Sequence, residues 1–140
     1  MKRLFLIPAV GVAALLLGAI AASPARSATP ADLLQQWRAE ASAVPFSAAR
    51  GRQLFESRVT DWSCSTCHTS DPRAGGRHTV TGKPIEPLAP AANPARFTDE
   101  ATVAKWMRRN CKDVLQRECT PLEKGDVLTW LLTLKPGVQP

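Results

Sequence analysis

Apolar positions along the chain recur at helical rather than strand spacing, in four blocks separated by proline and glycine. Over residues 30–43, Leu33, Leu34 and Trp37 share one face at i, i+3/i+4 spacing, which predicts an amphipathic helix. Val44-Pro45 interrupts it, because a residue before proline is pushed out of the α region. Ser47 is placed to cap a second helix running to about Ser57, with Gly51 and Phe55 four apart on one side. Thr98-Asp99-Glu100 opens a third helix to roughly Val114, carrying Val103, Trp106, Met107 and Asn110 on one face. Thr120-Pro121-Leu122-Glu123 is a capping box with proline in the first helical position, and it starts a last helix to about Leu134. Leu128, Trp130, Leu131 and Leu132 supply the apolar content of that helix. Residues 69–97 have neither period, and no strand is read ahead of Cys64. So long a loop in so small a domain has to be held by something other than its own secondary structure, and a bound cofactor suits.

The chain has 140 residues, 44% of them hydrophobic and 21% charged, with 12 prolines and 8 glycines. This suits one small globular domain and excludes a disordered chain or a collagen-like repeat. Tyrosine is absent, so no site can use a phenol. Lys2 and Arg3 precede an apolar run over residues 4–22, and Ala25-Arg26-Ser27 has the small-x-small pattern of a cleavage site. Residues 1–27 therefore read as a cleaved secretory leader, and residues 28–140 as the mature domain. An uncleaved anchor is the alternative, which Pro8, Gly11 and Gly18 weaken. The formal charge of +6 falls to +3 once Lys2, Arg3 and Arg26 leave with residues 1–27. That is too little to argue for nucleic acid as a partner.

Four cysteines in an exported chain invite disulfides, but the four are not equivalent. Cys64 and Cys67 stand in Cys64-Ser65-Thr66-Cys67-His68, whereas Cys111 and Cys119 have no histidine beside them. The pentapeptide C-x-x-C-H is the attachment sequence of c-type haem. Two thiols at that spacing meet the two vinyl groups on one porphyrin edge, and the adjacent histidine falls beneath the iron. A thioredoxin-like redox pair would want a βαβ context, and a zinc site would leave reduced thiols exposed in an oxidising compartment. A plain disulfide is the remaining competitor. Covalent haem agrees with the leader, the helices and the long loop together: Cys64 and Cys67 as thioethers, His68 as proximal iron ligand.

The sixth coordination position decides the function. A methionine or second histidine opposite His68 makes a closed electron-transfer cytochrome. Beyond residue 27 the chain offers only Met107 and His78. Met107 lies within a helix, where core packing is its ordinary role, and His78 stands in a Gly-rich surface loop ten residues after His68. In Arg108-Arg109-Asn110-Cys111, Asn110 is a further candidate, though asparagine also ends helices as a cap. If Cys111 and Cys119 pair, closing the short loop contributes on the order of 2–3 kcal/mol and pins the backbone beside Asn110. Lys105, Arg108, Arg109, Lys112 and Arg117 surround this element, either as a solvated face or as partners for propionates or an acidic electron donor. Trp106 and Trp130 read as core packing against the haem rather than electron relays. Asp113 and Glu118 form no evident acid–base pair, so the chain reads as a carrier and ligand binder rather than an enzyme.

Five segments run in order: the CSTCH pentapeptide; Gly82-Lys83-Pro84-Ile85-Glu86-Pro87-Leu88-Ala89-Pro90; Arg96-Phe97-Thr98-Asp99; Lys105-Trp106-Met107-Arg108-Arg109-Asn110-Cys111; and Glu118-Cys119-Thr120-Pro121-Leu122-Glu123-Lys124. In these the chain resembles the SHP-type (sphaeroides haem protein) class I cytochromes c, from about Gly51 to Leu134. The resemblance implies an all-α class I cytochrome c fold, short helices and a long loop around one covalent haem c, with residues 30–44 as an N-terminal helical extension. It implies a Cys111–Cys119 disulfide and Asn110 as a labile sixth ligand that leaves on reduction, so that ferrous haem binds O2, NO or CO. It also implies a periplasmic monomer that takes electrons from a dihaem cytochrome c or a membrane b-type cytochrome. Plain electron transfer, or a low-activity oxygen or NO reductase, are the competing functions.

Overall fold

A computed structural model describes residues 27–137; most of the expected leader lies outside them. The order is α1 (Pro30–Glu40), α2 (Ala48–Glu56), α3 (Cys64–His68), β1 (Gly76–Arg77), β2 (Pro84–Ile85), α4 (Glu100–Leu115) and α5 (Pro121–Thr133). The fold is all-α apart from one two-stranded antiparallel ribbon that pairs Gly76 with Ile85 and Arg77 with Pro84. Strands of two residues are too short to leave a period in the sequence, which is why residues 69–97 read as loop alone.

Each helix start follows from a side chain that takes up orphan backbone N–H groups. Thr29 and Asp32 bond reciprocally at the head of α1, and Pro30 follows in the first turn. The Asp99 carboxylate accepts from the Thr102 amide at 2.7 Å. Thr120 and Glu123 form the expected box ahead of α5. Helix α1 ends at Glu40, short of the expected residue 43. Arg38 reaches forward to donate to the Val44 carbonyl at 2.7 Å and lies 3.6 Å over the Phe46 ring. The chain thus folds back early, and the Phe46 ring covers Gly125 so closely that a Cβ there would overlap it.

Helix α5 is the centre: α1 and α2 both pack on it. Leu33 and Trp37 of α1, Phe55 of α2, and Leu128, Trp130 and Leu131 of α5 are buried in one cluster with Phe97 and Val103. The α2–α5 crossing is close because Gly51 has no side chain; a Cβ there would overlap the Asp126 carbonyl. Asp126, 3% exposed, is fully engaged at the same crossing. It accepts from Arg50 Nε at 2.8 Å, Arg50 Nη2 at 2.9 Å and the Ser47 amide at 2.6 Å. One buried carboxylate therefore caps α2 and ties it to α5.

Helix α4 is held differently. Cys111 and Cys119 form a disulfide that joins it to the start of α5. Arg117 Nη1 donates to Glu123 Oε2 at 2.8 Å and Arg117 Nη2 to Glu123 Oε1 at 2.6 Å across the connecting loop. The helix continues to Leu115 and is closed by Gln116 in the left-handed region (φ 59°). Asn110 is thus an interior helical residue, and the capping role that the sequence allowed it does not apply. Trp130 is buried in the core cluster.

Three outcomes follow for the folded protein. Gly51→Ala forces the α2–α5 crossing apart and lowers stability in denaturant unfolding by about 1–3 kcal/mol. Paired Cys111→Ser and Cys119→Ser substitutions cost on the order of 2–3 kcal/mol in the same assay. Hydrogen bonding from Arg117 holds the Glu123 carboxyl below its ordinary value. Its stabilisation is complete above the ordinary carboxylate range and is lost as pH falls through the native value. Glu123→Gln accordingly flattens the decline of melting temperature between neutral pH and pH about 3.

Candidate haem site

The site begins with a five-residue helix. At its head, buried Ser63 donates its amide to Thr66 Oγ1 at 2.9 Å, and its hydroxyl lies 2.8 Å from Ser65 Oγ and 3.0 Å from Thr66 Oγ1. Helical winding sets Cys64 and Cys67 one turn apart on one face, with His68 four residues after Cys64. Thr69, at φ 63°, ends the helix immediately after His68 and reverses the chain. The sequence pattern did not predict this turn as helical; five residues are too few to show a period.

Two elements fix it from outside. The His68 ring lies 6.4 Å from Phe55, which in turn packs 4.9 Å from Trp130, centroid to centroid. The ribbon lies against the other side. Gly76 passes so near the Cys67 carbonyl that a Cβ would overlap it, and Thr79 Oγ1 is 3.0 Å from Cys67 Sγ. The loop that follows is held by single strong contacts: Leu88 and Ala89 amides donate to the Pro72 carbonyl at 2.8 and 2.9 Å. Arg96 donates to the carbonyls of Pro87 at 2.9 Å and Glu86 at 2.7 Å. Phe55, Thr79 and Arg96 are the contributors that the sequence reading did not single out. Phe55 and Arg96 were visible there only as a helix-face position and as part of a quoted run.

Electrostatics favour metal ligation by the imidazole. Burial, with the Arg96 charge second, lowers the His68 pKa to about 4. The ring is therefore neutral at physiological pH and keeps a nitrogen lone pair. Burial pushes the Cys64 thiol up to about 11. Cys64 and Cys67 are both free thiols, while Cys111 and Cys119 are consumed by their disulfide. Among the described residues no three His, Cys, Asp or Glu side chains converge to hold a bare metal ion. A zinc site therefore finds no donor set. A haem brings four nitrogens of its own and asks of the protein two thiols and an axial base, which is the set that α3 presents.

Asn110 lies on α4, away from α3 in sequence. The link between them is Thr60, whose hydroxyl donates to the Val114 carbonyl at 3.4 Å and accepts from the Trp62 amide at 3.2 Å. The segment leading into Cys64 thus touches α4 one turn beyond Asn110. Asn110 is half-buried, and among the described residues its carboxamide has no hydrogen-bond partner. The two competing ligands are engaged elsewhere. Met107 packs against the core cluster. His78 Nδ1 accepts from the amides of Val80 and Thr81, both at 3.2 Å, inside the ribbon's turn.

Residues 41–131 match a family described as a domain of unknown function, DUF1924. The chain is 49% identical over 124 residues to the cytochrome c-type protein SHP of Cereibacter sphaeroides, covering 84% of this chain and 95% of the relative. It is 44% identical over 71 residues to cytochrome c'' of Methylophilus methylotrophus, covering 51% of this chain and 49% of that protein. Among solved structures, oxidised SHP, described as an oxygen-binding cytochrome c, superposes with a TM-score of 0.72 at 48% identity, over 77% of this chain and 99% of that one. Oxidised cytochrome c'' follows with a TM-score of 0.66 at 32% identity, over 74% and 93%. The cytochromes c matched here carry covalently bound haem c, as the C-x-x-C-H pentapeptide requires. On sequence, fold and cofactor together, the chain belongs to the SHP family of cytochromes c.

Proposed function

We propose that this protein is an exported, periplasmic monohaem cytochrome c whose sixth ligand, Asn110, is held in the ferric state and released on reduction, freeing the position for O2, NO or CO. Cys64 and Cys67 form the thioethers and His68 is the proximal ligand. The observation that carries the reading is the Asn110 side chain, half-buried in mid-helix and without a hydrogen-bond partner among the described residues. The neighbouring disulfide fixes its backbone. The relatives support the same reading: SHP is described as oxygen-binding, and a solution structure of cytochrome c'' is described in terms of haem-ligand detachment.

Bound haem would supply a one-electron couple and an iron able to take a small diatomic ligand. The rest is the chemistry of the chain's own residues. The Asn110 carboxamide is a hard, neutral, weak donor, adequate for ferric iron and poor for low-spin ferrous iron, which prefers soft or π-accepting partners. Reduction of a bound haem would therefore weaken its hold on Asn110, whose side chain would be the one to leave. His68, with its ring beside Phe55 and next in the chain to Cys67, would be the residue to stay. In this reading the electron donors are a dihaem cytochrome c or a membrane b-type cytochrome. The protein is a monomer, and residues 1–27 are its cleaved leader. Among the described residues no helix is long and apolar enough to cross a membrane.

Absorption spectra test the ligand switch. The ferric holoprotein is expected to be low-spin, to turn high-spin with dithionite, and then to shift promptly with carbon monoxide. Asn110→Ala is expected to bind azide or cyanide in the ferric state at least about tenfold more tightly, a difference of about 1.4 kcal/mol. A ferrous form that stays low-spin and ignores carbon monoxide would assign the position to Met107 or His78 and make the protein a plain electron carrier.

A further inference from the structure

We propose that Thr79 is a positioning residue for covalent haem attachment: its hydroxyl, carried on the turn of the ribbon, holds the Cys67 sulfur for the bond to a vinyl group. The inference rests on the reading of Cys64 and Cys67 as the thioether cysteines.

The two sulfurs are held by different means. Cys64 packs against the core cluster, so its side chain is confined by its neighbours. Cys67 is not part of that cluster and faces the ribbon, where its Sγ lies 3.0 Å from Thr79 Oγ1. A cysteine side chain has three staggered wells at χ1, and a hydrogen bond to a fixed hydroxyl favours one of them. Both sulfurs are free thiols, the form from which attachment starts.

The hydroxyl is fixed because the ribbon is. Gly76 runs so close to the Cys67 carbonyl that a Cβ would overlap it, and its pairing with Ile85 anchors the first strand. Beyond it the His78 amide donates to the Lys83 carbonyl at 2.9 Å, and the Gly82 amide to the His78 carbonyl at 2.8 Å. His78 Nδ1 accepts from the amides of Val80 and Thr81, and Arg77 donates to the Gly82 carbonyl. Gly82, at φ 66°, takes the left-handed position that so tight a return requires. Thr79 stands inside this closed turn and is presented to a sulfur 12 residues earlier in the chain. In the attachment step Cys67 Sγ adds to one vinyl carbon and the thiol hydrogen to the other. An S–C bond replaces the C=C π bond, and no electron is gained or lost. Thr79 exchanges no atom; it reduces the freedom that the sulfur must lose to react.

The test is the pyridine haemochrome of the purified holoprotein, produced in a bacterial periplasm together with haem-attachment machinery. In alkaline pyridine the chain is unfolded, and the α band reports only how many vinyl groups remain, moving to the red for each one unsaturated. Wild type is expected to show two thioethers. In Thr79→Val the ratio of singly to doubly attached haem is expected to rise about fivefold, the factor that one lost hydrogen bond gives. Thr79→Ser, which keeps a hydroxyl, is expected to match wild type. So is Thr81→Val, which removes a second exposed hydroxyl from the same turn. Alkylation with iodoacetamide in denaturant, followed by peptide mass, identifies the unattached sulfur, expected to be Cys67. A Thr79→Val ratio equal to that of wild type would overturn the proposal even if less holoprotein forms, since a merely structural role lowers the yield and leaves the ratio alone. An equal rise in Thr81→Val, no restoration by Thr79→Ser, a free thiol at Cys64 instead of Cys67, or a Thr79→Val chain that takes up no haem would each overturn it as well. A wild type without two thioethers would sink the thioether reading itself and this proposal with it, so the two failures are distinguishable.

Discussion

The crossing of α2 over α5 is the constraint on which the remainder depends. Gly51 lets the backbones approach, and the buried Asp126 carboxylate, fixed by Arg50 and the Ser47 amide, holds the angle. A buried charge with this many partners costs desolvation and is retained where it specifies one geometry. Here that geometry sets Phe55 and Trp130 side by side, and the Phe55 ring, backed by Trp130, faces His68. His68 is thus positioned by the hydrophobic core as well as by the pentapeptide that carries it.

Helix α3 is wedged between Phe55 and the ribbon, and Gly76 and Thr69 each adopt positions that leave no slack. Helix α4 buries Val103, Cys111, Val114 and Leu115 and is further tied to the start of α5 by a disulfide and the Arg117–Glu123 pair.

Much of this was legible in the sequence because it depends on local chemistry. The caps at Ser47 and Thr120 and the placing of Gly51 and Phe55 on one side of α2 follow from short spacings, and the Cys111–Cys119 disulfide from the family resemblance. What was missed depends on the third dimension. The early end of α1 is decided by Arg38 reaching for Val44 and Phe46, a contact that has no periodicity to announce it. Asn110 read as a ligand candidate with a helix cap as the alternative, and the continuation of α4 to Leu115 removes the cap.

The burial of Cys64 has a chemical consequence for how such a chain matures. Cys111 and Cys119 are oxidised to each other, and a covalently bound haem c needs two further thiols kept reduced. A thiol pushed up to about 11 carries almost no thiolate at neutral pH, and the thiolate is the species that attacks a disulfide. Once α3 has formed against the core, Cys64 is therefore a slow participant in exchange with Cys111 or Cys119. The fold acts as a protecting group, reserving one sulfur for the cofactor while its neighbours in the chain are free to cross-link.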